Sequence, residues 1–369
     1  MTRGCVAVLA DASSKLRSFP RKRESRLAKH VTLQVWTPAT GSPRRKRRGV
    51  PRAGVSGARG MRGFSSLSRR GKRLQFWLGL LPASMLALSA IDIAPSQAQM
   101  NAMPIPAQAP AREATAALAD TKLFYWDTGG SGAPIVLAHP ATGSALIWGY
   151  QQPVFAAAGY RVIGYSRRGH LNSAPIDAGN PGIGADDLRA LVDFLGLTRF
   201  HIVASAAGGS IAADFALSYP DRLITLVNSS NSFGVRDGAI AAAAARIRPK
   251  NWDDIAPDVR ELGPSYRANN PDGVREWLEL EHKAWGGGTV RQKSRNTMTE
   301  GKLAELKAPT LIIAGAADLI TPPSISRMLA AKIPGSEVVV AAEAGHSVYW
   351  EAPDTFNRAV LDFIARRGK

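Results

Sequence analysis

Six short apolar runs constrain this chain more than any other feature. They are PIVLAH, YRVIGYS, FHIVAS, LITLVNSS, PTLIIAGAAD and SEVVVAAEAG, beginning at residues 134, 160, 200, 223, 309 and 336. The runs at 134, 160 and 200 are apolar without the polar–apolar alternation of a half-exposed strand, so they read as strands covered on both faces. Between them lie segments with helical spacing, DDLRALVDFL at 186–195 and SIAADFALSYP at 210–220. Strands alternating with helices give a mostly parallel, doubly wound α/β sheet. One stretch breaks the alternation. Residues 232–306 hold Ala-rich and charged helical segments with no buried-strand run. They read as a helical cap inserted over the carboxyl edge of the sheet, where open parallel sheets bind ligands.

Ahead of the first run, KLFYWD at 122–127 alternates as an edge strand does, and Gly129-Gly130-Ser131-Gly132 makes a turn. Residues 99–120, rich in Pro and Ala, read as a mobile linker into a domain spanning 121–369. The formal charge of +18 suggests a nucleic-acid or anionic-membrane partner only until it is divided. Residues 1–98 carry 20 Lys/Arg and 3 Asp/Glu, while 99–369 carry 27 and 26. The basicity belongs to a leader, and a nearly neutral body is not expected to bind nucleic acid.

Within that leader, residues 61–98 have the parts of a secretory signal. Arg62, Arg69, Arg70, Lys72 and Arg73 precede the largely apolar stretch 74–91, and Ser96-Gln97-Ala98 places small residues at a cleavage site. The apolar stretch is shorter than the ~20 residues of a spanning helix and holds Gly79, Pro82 and Ser84. Cleavage and export to the periplasm or medium are therefore expected, with no stable membrane insertion afterwards. Residues 1–60, with the run Arg44–Arg48, read as a mis-assigned extension ahead of a true start at Met61, or as a disordered basic arm. The single cysteine, Cys5, lies there. The mature chain then has no thiol for disulfides or thiolate metal sites. Its five histidines form no spaced ligand pair, so neither a metal nor another cofactor is expected.

Five segments carry a resemblance. They are LAHPATGS at 137–144, YSRRGHLNS at 165–173, HIVASAAGGSIAADFALSYPDRL at 201–223, PTLIIAGAADLITPP at 309–323 and AGHSVYWEAPDTFNRAVLDFI at 344–364. In this order they resemble the oxyanion loop, a Tyr-Asp-x-Arg-Gly segment, the nucleophile elbow, the acid strand and the histidine segment of the α/β-hydrolase superfamily. The resemblance implies that Asp318 is the catalytic acid and His346 the catalytic histidine. Their order after the elbow is the one this fold uses. It also implies that the backbone N–H groups of Ala141 and Ala207 form the oxyanion hole.

The nucleophile departs from the pattern. Aligned on Gly208-Gly209, the elbow reads Ala204-Ser205-Ala206-Ala207-Gly208, and Ala206 stands where the family has serine. A methyl group cannot attack a carbonyl, which closes the acyl-enzyme route at that position. Three readings stay open. Ser205 could act as a displaced nucleophile, although adjacent side chains in a tight turn point in different directions. His346 with Asp318 could act as a general base without a covalent intermediate, for hydrolysis by water or for lyase or cofactor-free oxygenase chemistry. The third reading is a non-catalytic small-molecule-binding relative. Two further departures are Pro140, in place of the oxyanion-loop glycine, and Ser166, in place of the aspartate before Arg167-Arg168. Thr142, Ser144 and Trp148 are candidate pocket residues. In the cap, Trp252 and Tyr266, and Trp277, Glu281 and Trp285 spaced four apart, read either as a lid or, preferably, as cap packing. Arg246, Arg248 and Lys250 read either as a site for an anionic ligand or, preferably, as a solvated charged face. The expectation is an exported, cofactor-independent hydrolase of an ester, lactone or related carbonyl compound, taking a small molecule as its substrate.

Overall fold

The computed structural model describes residues 104–284 and 290–368, all within one compact unit, Ala87–Lys369. The leader segments 1–60 and 61–98 lie outside the described residues. Eight strands form one sheet: β1 (Arg112–Ala117), β2 (Lys122–Asp127), β3 (Pro134–Ala138), β4 (Arg161–Tyr165), β5 (Phe200–Ser205), β6 (Leu223–Ser229), β7 (Thr310–Gly315) and β8 (Glu337–Ala341). Their order is β1-β2-β4-β3-β5-β6-β7-β8. The β1–β2 and β2–β4 pairs are antiparallel, and every pair from β4 to β8 is parallel.

The apolar runs are continuous because both faces are covered. On β5, Ile202 and Ala204 enter one core and Val203 the other; on β7, Ile312 faces the first core and Leu311 and Ile313 the second. Each such Ile, Leu or Val side chain, fully withdrawn from water, contributes about 1.5–3 kcal/mol. The first core lies under α2 (Gly184–Phe194) and α3 (Ala207–Ser218). The second lies under α1 (Gln152–Ala157) and the C-terminal helix Pro353–Arg367. Pro153 sits in the first turn of α1, where its missing N–H is harmless, and a separate 3-10 turn occupies Ala145–Trp148.

Two expectations need correction. The 99–120 segment is not a linker throughout, since Arg112–Ala117 pairs along its whole length with β2. Consequently KLFYWD is an internal strand and β1 is the edge. Its backbone pairs with β2 and only Ala116 is fully buried against the first core, so no run of large apolar residues marks it. Just before it, Gln152 exchanges two hydrogen bonds of 2.8–2.9 Å with the backbone of Ala109.

Between β6 and β7 the described residues contain four α-helices and no named strand: α4 (Gly238–Ile247), α5 (Pro257–Glu261), α6 (Pro264–Asn269) and α7 (Pro271–Ala284). After β7 come α8 (Pro323–Ala330), α9 (Val348–Glu351) and α10, the C-terminal helix already given. No helix among the described residues is long and apolar enough to cross a membrane.

Candidate active site

The site is assembled at the carboxyl ends of the parallel strands, from the residues that follow β3, β5, β6, β7 and β8. The turn from β5 into α3 is the sharpest of these. Ala206, at its apex, has φ 46° and ψ −118°, a conformation that is strained for any residue with a Cβ. What holds it there is close packing. A Cβ at Gly208 would lie 2.2 Å from the Ala138 carbonyl oxygen, and one at Gly209 would lie 2.0 Å from Asn228 Oδ1. The Ala206 N–H also donates to the Ser229 carbonyl at 2.9 Å, and its carbonyl accepts from Gly209 N–H at 2.8 Å. The backbone of a nucleophile elbow is therefore complete, with a methyl group at its tip.

Ser205 is not brought to this point. It is the last residue of β5, opposite Ser229, and fully buried. Its hydroxyl has no hydrogen-bond partner among the described residues, and the residue does not line the cavity described below. Ser205 ends the strand and Ala206 forms the apex of the turn, and of the two only Ala206 shares the cavity with His346.

Asp318 and His346 are brought together. Both carboxylate oxygens of Asp318 lie 2.9 Å from His346 Nδ1, and Asp318 Oδ1 also accepts from the N–H groups of Ile320 at 2.7 Å and Thr321 at 2.9 Å. With Nδ1–H donated to the carboxylate, neutral His346 carries its free lone pair on Nε2. Burial alone would depress the basicity of this imidazole. The Asp318 carboxylate, and after it that of Glu261, outweigh burial and raise the pKa to about 9.

The histidine loop is fastened to the helical insertion. The Glu261 carbonyl accepts from the N–H groups of His346 at 2.8 Å and Ser347 at 3.1 Å. Glu351 Oε2 accepts from Gly263 N–H at 2.7 Å and Gly345 N–H at 2.9 Å, while its Oε1 accepts from Ser347 N–H at 3.2 Å. Burial raises the Glu351 pKa to about 7 against the pull of these three donors. One buried carboxyl thus ties the insertion to the loop that carries His346.

A cavity of about 740 Å³ opens at this edge. Ala141, Thr142, Ala206, Ala207 and His346 line it from the sheet, and Arg248, Trp252, Arg260, Glu261 and Glu281 line it from the insertion. Ala207 is the first residue of α3, so its N–H has no acceptor within the helix. The guanidinium carbons of Arg248 and Arg260 lie 5.5 and 5.9 Å from the centre of the Trp252 ring. Arg248 is thus a cavity residue and not simply part of a solvated face.

Other sequence candidates have structural duties. Ser144 caps the 3-10 turn, accepting from Leu146 N–H at 3.3 Å. Trp148 and Trp277 are core residues. Trp285 lies outside the described residues. Ser166 is buried and accepts from Ala145 N–H at 3.1 Å, and Arg168 finds its carboxylate in Asp187, at 2.6 and 2.7 Å. In the oxyanion loop, the Pro140 carbonyl accepts from Gly143 N–H at 3.2 Å and from Arg167 at 3.0 Å. These bonds fix the loop without requiring a donor at position 140.

Sequence reasoning missed Ser230 and Glu261. Ser230, directly after β6, has φ 52°, and its buried hydroxyl lacks a partner among the described residues. Its place at a strand's carboxyl end, one strand from the elbow, was the available signal. Glu261 carries no local signal, because its importance arises from contact with a loop 85 positions later.

The sequence model of the alpha/beta hydrolase family matches residues 135–359. The chain is 29% identical over 264 residues to 2-hydroxy-6-oxononadienedioate/2-hydroxy-6-oxononatrienedioate hydrolase 2 of Pseudomonas putida, covering 66% of this chain and 92% of that protein. A hydrolase of the same name from Burkholderia vietnamiensis is 30% identical over 269 residues, 67% of this chain and 92% of the other. Among solved structures, a thermophilic esterase from Thermogutta terrifontis with malate bound superimposes with a TM-score of 0.60. It is 25% identical and covers 70% of this chain and 100% of the esterase.

Proposed function

The chain belongs to the alpha/beta hydrolase family and is a hydrolase, and from that premise we propose that it cleaves an ester, lactone or related carbonyl compound by direct attack of water. His346 is the general base and Asp318 its orienter. The observation that carries this reading is the elbow itself: a complete, strained turn presenting the Ala206 methyl in the cavity that also holds His346. The names of the relatives, an oxo-dienedioate hydrolase and an esterase, describe carbonyl chemistry and support that substrate class.

In this mechanism the substrate carbonyl lies over Ala206, with its oxygen toward the N–H groups of Ala207 and Ala141. Water attacks the carbonyl carbon as Nε2 of His346 takes its proton, and the Nδ1–H bond to Asp318 stabilises the imidazolium. Each donor aimed at the developing oxyanion contributes roughly 10²–10³ in rate. Arg248 and Arg260, held near Trp252, supply a cationic wall on the cap side for an anionic end of the substrate.

The test is a pH–rate profile on an ester and lactone panel, with rapid-mixing kinetics. A general base must be neutral to act, and His346 in the free enzyme holds its proton up to about pH 9. On 4-nitrophenyl esters, whose leaving group departs without a proton, we expect kcat/KM to rise about tenfold per pH unit below that value and then level off, with no burst of released nitrophenol. A stoichiometric burst, or an acylated peptide, would establish a covalent route and reject the proposal.

Export is part of the same reading and rests on residues 61–98. The full-length chain produced in a host with a periplasm should appear there with its N-terminus at Gln99. Recovery from the cytoplasm with Met61 or earlier residues attached would reject it.

A further inference from the structure

Direct hydrolysis needs two proton movements, one from the attacking water and one to the departing oxygen, and the cavity contains two groups suited to them. Glu261 ends α5 and lines the same cavity as Ala206 and His346. Its Oε2 is buried with no hydrogen-bond partner among the described residues, which is an expensive arrangement for a carboxylate unless a ligand or proton completes it. Ion pairing does not explain it either. Among the described residues His346 pairs with Asp318 and not with Glu261, although the two share charge interaction across the cavity.

Resting on the water-attack reading above, we infer that Glu261 is a second catalytic residue, the general acid that protonates the leaving group. A bond forms between the water oxygen and the carbonyl carbon, one water proton passes to His346 Nε2, and the carbonyl π pair moves onto oxygen. The carbonyl then re-forms, the bond from carbon to the leaving oxygen breaks, and that oxygen takes the proton from the Glu261 carboxyl. The proton held on His346 returns through solvent to Glu261. The sum is ester plus water giving acid plus alcohol, with no other reactant.

Burial supports the assignment. It shifts the Glu261 pKa upward, toward the protonated form an acid needs; the nearby carboxylates of Asp318 and Glu281 push the same way, and the charges of His346 and Arg260 oppose it. The Glu261 contact that holds the histidine loop is made by the main-chain carbonyl. Changing the side chain therefore leaves that fastening in place.

The test compares Glu261→Gln with the wild-type chain on methyl butyrate and 4-nitrophenyl butyrate, with His346→Ala in parallel and thermal midpoints recorded for all. An alkoxide leaving group needs a proton, whereas 4-nitrophenolate departs without one. Glu261→Gln should lower kcat on the methyl ester by about 100-fold and on the nitrophenyl ester by no more than a few-fold, while His346→Ala loses both. Equal losses on the two esters, or no loss on either, overturn the acid role while leaving the base role standing. Unimpaired turnover by His346→Ala overturns the base role. No turnover of either ester by the wild-type chain overturns both.

Discussion

An Ala206→Ser protein is expected to react stoichiometrically with a fluorophosphonate at position 206, while the natural chain stays unlabelled at every serine. The expectation follows from the backbone. Ala206 already has the elbow conformation, φ 46° and ψ −118°, so adding a hydroxyl requires no change in main-chain geometry. His346, oriented by Asp318 at 2.9 Å, lies in the same cavity to take the proton. Peptide mapping after labelling separates the outcomes. Label on the natural chain at Ser205 or Ser230 would overturn water as the nucleophile. Failure of the Ala206→Ser protein to label, with its fold intact, would show that the loop around Pro140 and Ala141 does not hold an oxyanion.

Loss of the imidazole should have the other large effect. His346→Ala is expected to reduce kcat by about 10²–10⁴ on whichever ester or lactone the natural chain turns over, the usual range for a positioned general base. The residual rate reports what the backbone donors and substrate positioning supply alone. His346 N–H and Ser347 N–H both bond to the Glu261 carbonyl, so the loop should keep its course without the ring. A fall of less than tenfold, with an unchanged circular dichroism spectrum, would remove His346 from the chemistry.

The parallel half of the sheet was readable because strands buried on both faces are apolar through their middles, as Ile202–Ala204 in β5 and Leu311–Ala314 in β7 are. The elbow was readable because only glycine fits against Ala138 and Asn228 at positions 208 and 209. The same logic explains the misses. β1 is held by main-chain bonds on one side only, so REATAA carries no apolar signature and read as linker. Trp252 and Trp277 look alike in sequence, yet one lines the cavity and the other has no exposed surface. Which is which depends on how the insertion sits on the sheet. Ser205 and Ser230 are both strand-end serines, yet only Ser230 lines the cavity, a difference that the sequence does not carry.

The elbow also bears on how such chemistry can change over generations. Its strain is imposed by Gly208, Gly209 and the strands beneath them, and it persists in a chain that has no hydroxyl at its tip. Alanine and serine codons can differ by one base. A lineage holding this turn can therefore gain or lose a covalent intermediate in a single mutational step without rebuilding the scaffold. In such a lineage the turn is the inherited trait and the nucleophile an interchangeable one.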